Sequence, residues 1–134
     1  MAQGWLFTVE AWQSPAQPGE AWELWTEPPV DHRTGAVRRR VSDGQPYTPA
    51  WKPEDGIVMF HPASDRCVAL LEVTSLPRWD STAELFYLDT RVEAWNEHAG
   101  PTLAAIGVEK ALQGGRHRLT MAQYRAARTS FNRA

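Results

Sequence analysis

Leu85-Phe86-Tyr87-Leu88-Asp89-Thr90-Arg91-Val92-Glu93-Ala94-Trp95 runs without a glycine or proline, and its reading decides the fold. Aromatic and β-branched side chains in this density fit a pleated, half-buried strand better than a helix. A strand of this length can bend around a small barrel. Downstream, Gly100-Pro101-Thr102-Leu103 turns the chain, and Pro101 suits the first turn of a short helical segment over 102–106 that Gly107 stops. Arg116-His117-Arg118-Leu119-Thr120 then opens a closing helix over 121–131. Thr120 is a good N-cap, and Met121, Tyr124, Ala127 and Phe131 share one face at spacings of three and four.

Working upstream, the turn Pro53-Glu54-Asp55-Gly56 launches a strand over 57–61, and 66–74 returns as a second one, giving a hairpin joined by 62–65. Residues 4–9 read as the first strand, with Trp5, Phe7 and Val9 on one face. Between them, Pro15, Pro18, Gly19, Pro28 and Pro29 break up residues 11–29, which read as a surface loop that carries Trp12, Trp22 and Trp25. Residues 30–51 are polar, basic at Arg38, Arg39 and Arg40, and rich in turn formers, with at most one strand or hairpin arm over 36–41. The pattern predicts an α+β fold. Residues 1–134 form a single domain built on a small curved or closed β-barrel of about five or six strands with short flanking helices, since closure removes exposed edges.

Composition excludes several functional classes. A chain of 134 residues with 43% hydrophobic content suits one compact domain. A formal charge of -2 rules out generic polyanion binding, so any nucleic-acid contact must come from a local basic patch and stacking. Cys67 has no intrachain disulfide partner and lies in an apolar run, which reads as a small buried hydrophobe in a reducing compartment. No apolar run approaches the ~18 residues of a membrane span, and the expectation is a soluble, cytoplasmic protein with no membrane contact.

Enzyme signatures are sparse. His32, His61, His98 and His117 are scattered without paired spacing, no Cys-x-x-Cys exists, and Gly114-Gly115 is only a turn ahead of Arg116. Asp80, Glu84 and Asp89 could meet as an acid and base pair only through tertiary folding. The sequence therefore predicts a non-catalytic protein with no metal and no cofactor.

Seven tryptophans exceed what a core of this size needs. Trp5 and Trp95 read as packing, whereas Trp12, Trp22, Trp25 and Trp51 lie in loop-like surroundings and are candidates to line a ligand pocket, where stacking holds a base with roughly 1 to 3 kcal/mol. An aromatic lid over the barrel mouth is the other reading of the same residues. Arg116, His117 and Arg118, and Arg38 to Arg40, are the two compact basic groups, suited either to phosphate or to a solvated, salt-bridged face.

Three segments carry a resemblance. Gly4-Trp5-Leu6-Phe7 followed by Glu10, then Asp55-Gly56-Ile57-Val58-Met59-Phe60-His61, then Arg118-Leu119-Thr120 with Gln123, in an order of strand, proline-initiated turn, basic segment and helix, resemble the EVE domain. That family is a PUA-like β-barrel related to the YTH domain. The resemblance implies a binder of an extruded modified base, a modified cytosine in DNA being one such base. It places Thr8 and Val9 at the base pocket where the family offers Lys-Ser, and His61 at the family's strand-end histidine. Trp22, Trp25 and Trp51 would complete the base-binding set, and Arg116 and Arg118 would hold the flanking phosphates. The implied partners are a nucleic acid carrying a modified base and a separately encoded nuclease. Two other classes stand beside this one: an ASCH-like enzyme acting on RNA or a nucleoside, and a protein-interaction domain whose exposed tryptophans meet a partner.

Overall fold

The structure, a computed structural model, describes residues 2–109 and 116–133. The described elements are strands β1 (Gly4–Thr8), β2 (Ala21–Thr26), β3 (Gly56–His61), β4 (Arg66–Val73), β5 (Arg78–Asp80), β6 (Leu85–Trp95) and β7 (Arg116–Leu119), and helix α1 (Met121–Arg133). Short 3-10 turns lie at Pro62–Ser64 and Ala104–Ile106. All seven strands belong to one sheet of order β2-β6-β4-β3-β1-β7, with β5 paired to β6 off that path. β1 and β3 run parallel, and the remaining pairs are antiparallel.

The long strand forms as its composition demands. β6 spans eleven residues, buries Phe86, Leu88, Thr90 and Val92 in alternation, and pairs with β2, β4 and β5. Register shifts between Met59 and Phe60 in the β3–β4 pair, and between Leu70 and Leu71 in the β4–β6 pair, mark where the sheet bends. The predicted hairpin forms too: β3 and β4 are joined by the Pro62–Ser64 turn, which Asp65 ends in a left-handed conformation at φ 55.

Both faces of the sheet are covered. On one face Trp5, Leu24, Trp51, Ile57, Met59, Leu71, Val73, Leu88 and Val92 form a core cluster drawn from five strands and the loop before β3. On the other, Leu6, Val58, Phe60, Cys67, Leu70 and Leu119 meet Ala127 and Phe131 of α1 and Leu103, Ile106 and Val108 of the preceding segment. Alternation along β1 and β3 sends neighbouring residues to opposite clusters. The helix starts on a reciprocal cap in which Thr120 Oγ1 accepts from Gln123 N at 3.1 Å and Gln123 Oε1 accepts from Thr120 N at 2.9 Å. Its Tyr124 ring lies directly on the backbone of Gly4 and Gly56, where any Cβ would overlap it.

The sheet curls toward the tryptophan-rich face. β2 and β7 stand at opposite ends of the strand order, yet Arg116 Nη1 of β7 donates to Thr26 Oγ1 and to Glu27 O at the end of β2, both at 2.7 Å. Arg116 pairs with Phe7 and shares its face, and Thr26 shares the face of Leu24. A side chain on that face can bridge the two edges only if the sheet is concave there.

Three expectations are corrected in whole or part. Of the expected curved or closed barrel of about five or six strands, the curved sheet forms, but it has seven strands and no described ladder joins β2 to β7, so its edges meet through a side-chain seam. Residues 11–29 are not a continuous loop, because they contain β2, whose alternating Trp22, Leu24 and Thr26 face inward; the prolines flank this strand without interrupting it. Residues 116–119 form edge strand β7 on β1 ahead of the helix, because Leu119 alternates into the core while the two arginines face the tryptophans.

Candidate functional site

The seam between β2 and β7 opens into a cleft of about 700 Å³. One wall is Trp25, Thr26, Glu27 and Pro28 at the end of β2; the other is Phe7 with Arg116 and His117 of β7. Val30, His32 and Arg38 from the following loop and Leu85 from the start of β6 complete it. The loop reaches this place because isolated bridges pair Val30 with Val37 and Arg39 with Pro46, turning residues 30–46 into a hairpin-like arm. Of the strand or hairpin arm expected over 36–41, the hairpin arm forms, held by these two bridges.

Trp25 belongs to the outward set of β2 and is 39% exposed. Its ring is braced by Tyr87 at 5.0 Å between centroids, and Arg78 lies over the far side of the same tyrosine at 4.5 Å. Trp25 thus stands on the face opposite Leu24 and Thr26 and meets the cleft at its rim. Trp51 lies deeper, 1% exposed, edge-on to Trp5 and Phe7. Arg116 covers its ring at 5.7 Å, and Arg118 covers Trp5 at 5.3 Å, so β7 lays two guanidinium groups along the tryptophan pair. Burial pulls Arg116 below its ordinary pKa against an opposing influence from Glu27, yet a guanidinium stays charged under any neutral condition.

A second aromatic group lies elsewhere. Trp12 meets His61 at 4.9 Å and Trp95 at 5.6 Å, and Trp95 meets Trp22 at 5.0 Å. Trp12 Nε1 donates to Glu97 Oε2 at 3.1 Å, while His61 pairs with Ser64 Oγ at 2.9 Å and, through Nε2, with Glu10 O at 3.0 Å. These residues close one another off as a lid over the concave core.

The structure thus divides the sequence-derived set. It brings Trp25 and Arg116 to the cleft, with Trp51 beneath Arg116. Trp22 and His61 belong to the lid. Val9 packs on the concave core, whereas Thr8 alternates with Leu6, shares the face of its pairing partner Phe60, and so lies on the opposite side of the sheet from Trp51. Arg118 lines a separate cleft with Gln123. Thr8 Oγ1, Trp51 Nε1 and Trp95 Nε1 are buried without a hydrogen-bond partner among the described residues.

Sequence reasoning missed Arg38, His32 and Leu85 as neighbours of Trp25, since only the fold of the arm joins them. It also missed Asp55, whose buried carboxylate accepts from Gln3 N at 3.0 Å, Trp5 Nε1 at 3.0 Å and Lys52 N at 3.1 Å, pinning the first tryptophan and the loop before β3. The acidic trio is dispersed: Asp80 accepts from Thr82 N and Ala83 N in a turn, and Asp89 pairs with Arg78 at 2.9 Å. Among the described residues no cluster of three or more His, Cys, Asp or Glu could hold a metal ion. Cys67 is fully buried, and burial with nearby Asp65 pushes its thiol up to about 12.

No family model matches the chain, and no curated protein does. Two solved structures share its fold. The crystal structure of protein Atu2648 from Agrobacterium tumefaciens aligns with a TM-score of 0.56 at 19% identity, over 96% of this chain and 93% of that one. The NMR structure of Rpa0253 from Rhodopseudomonas palustris aligns with a TM-score of 0.52 at 17% identity, over 98% and 94%. At these identities the likeness is one of fold. Among the described residues no helix is long and apolar enough to cross a membrane.

Proposed function

We propose that the chain is a non-catalytic nucleic-acid-binding module that takes an extruded or single-stranded modified base into the seam cleft. The observation that supports this reading most is the convergence of an exposed, braced Trp25 ring with Arg38, Arg116 and two histidines in one concavity. A flipped base needs an aromatic face and edge hydrogen bonds, and its flanking phosphates need cations. Trp25 is the stacking surface in this account, Arg38 a phosphate contact, and Arg116 the seam strut that keeps Trp25 and β7 together. Glu27 is the carboxylate among the described lining residues and no lysine joins it there, which supports a reader over the carboxylate and lysine cluster an ASCH-like enzyme would need. A net charge of -2 fits a protein whose affinity comes from the pocket. The resemblance to EVE domains adds modified cytosine as the first base to try, and a nuclease on a separate chain as the partner class.

Fluorescence anisotropy with labelled oligonucleotides, single- and double-stranded, with and without a modified cytosine, tests the reading. The expected result is weak binding to unmodified duplex and a clear gain for the modified base. Equal affinity for all of them would refute it.

A further inference from the structure

The seam cleft has a neighbour across Pro28. A second concavity, about 360 Å³, shares Glu27, Pro28, Val30 and Leu85 with it and continues to Arg39 and Trp79. The two are therefore contiguous hollows either side of one ridge, each with an arginine from the same arm and a tryptophan from a strand flanking β6. Trp25 pairs opposite Tyr87 and Trp79 opposite Phe86, neighbours that face opposite ways, so the two rings leave the sheet on opposite faces, on strands two spacings (roughly 10 Å) apart, and a strand touching both must turn over the Pro28 ridge. Trp79 is half-buried and backed by Phe86 at 5.1 Å, as Trp25 is backed by Tyr87. Arg39 is steadied by donating from Nη1 to Gly44 O at 3.1 Å. The arm supplies consecutive arginines, Arg38 to the first hollow and Arg39 to the second.

We infer that the second hollow is a subsite for the nucleotide adjoining the bound base, so that the chain binds a short single-stranded track across the Pro28 ridge. This rests on the base-binding reading of the first hollow. A polyanion of stacked bases matches what repeats along the track, an aromatic face and a guanidinium, and stacking is tolerant of which base lies in the second position. Glu27 on the shared ridge and Glu84 beyond it oppose the phosphates, which favours threading one strand past the arginines over gripping a duplex.

Calorimetric titration with a modified-cytosine nucleoside 5′-monophosphate, and with the di- and trinucleotides that contain it, tests the track. The dinucleotide is expected to bind at least about ten-fold tighter than the monophosphate, the range a single stacked base supplies. In Trp79→Ala and Arg39→Ala that gain falls to within about three-fold while affinity for the monophosphate is unchanged; Trp79→Leu serves if the alanine variant does not fold. A length gain that survives both substitutions, or no length gain at all, overturns the track. Trp25→Ala separates the two readings: loss of monophosphate binding there with Trp79 irrelevant leaves the base pocket standing and removes only the second subsite, whereas monophosphate binding indifferent to Trp25 removes both.

Discussion

Two aromatic groups of similar composition serve different ends in this molecule. Around Trp12, Trp22, Trp95 and His61, Trp12 packs edge to face on His61 and Trp95, Trp22 lies tilted against Trp95, and the Trp12 and His61 nitrogens find partners within the chain, so the group closes on itself. Around Trp25, the ring leans on Tyr87 and stays 39% exposed, and the neighbouring cations line the cleft. The count of tryptophans says that aromatic surface is in excess; only the partnering of each ring says which surface is spare. Surface that the protein has already satisfied is scaffold, and surface held rigid but uncovered is where a ligand gains most.

The largest expected effect belongs to the ring beneath the seam. Trp51→Ala should destabilise the fold by about 3 to 5 kcal/mol in urea unfolding, because it empties a fully buried volume under Arg116. A cost below 1 kcal/mol would mean that the concave core does not depend on it. Next, Arg116→Ala should cost about 2 kcal/mol, the range for hydrogen bonds made by a charged group, since it also leaves buried Thr26 without its donor. Arg118→Ala, which removes only an exposed cation from a ring face, should cost about 0.5 kcal/mol. If the two arginines prove equal, the seam is not a strut.

Within the lid, Trp12→Phe keeps the ring but deletes the donor to Glu97, and should cost about 1 kcal/mol with no change in oligonucleotide affinity. Altered affinity would move the lid into the binding site. The last effect is absent at neutral pH and concerns Cys67. Its native thiol titrates near 12 against an ordinary 9.0, so the unfolded chain loses this proton first; the contribution is fully present below pH 9.0 and is lost as pH rises from there toward 12. Cys67→Ala should therefore show a flatter stability curve than the parent over that window, and the two should run parallel below it.

How much of this was legible in the sequence depends on the range of the causes. The β3–β4 hairpin, β6 and the Thr120 cap were readable because alternation, turn residues and the capping pattern act within a few residues. β2 was hidden because its six residues include Glu23 and lie between prolines, and only pairing with β6 makes its alternation informative. β7 was hidden because Arg-His-Arg carries no apolar rhythm, and its strand character comes from β1. Trp25 and Arg116 were both named from sequence, yet nothing local could bring them together: they meet because the sheet curls until its two edge strands share one side chain. Thr8 and Val9, adjacent in sequence, are separated by the simplest rule of a strand, that neighbours face opposite ways.

The central claim, that uncovered rather than abundant aromatic surface marks the site, is tested most directly by titrating a modified-cytosine oligonucleotide against Trp25→Ala and Trp22→Ala side by side. The account predicts that Trp25→Ala loses about 1 to 3 kcal/mol of binding while its unfolding free energy shifts by less than about 0.5 kcal/mol, and that Trp22→Ala loses stability while the folded fraction binds as the parent does. Binding that survives loss of Trp25 but not of Trp22 would contradict it and move the ligand to the lid.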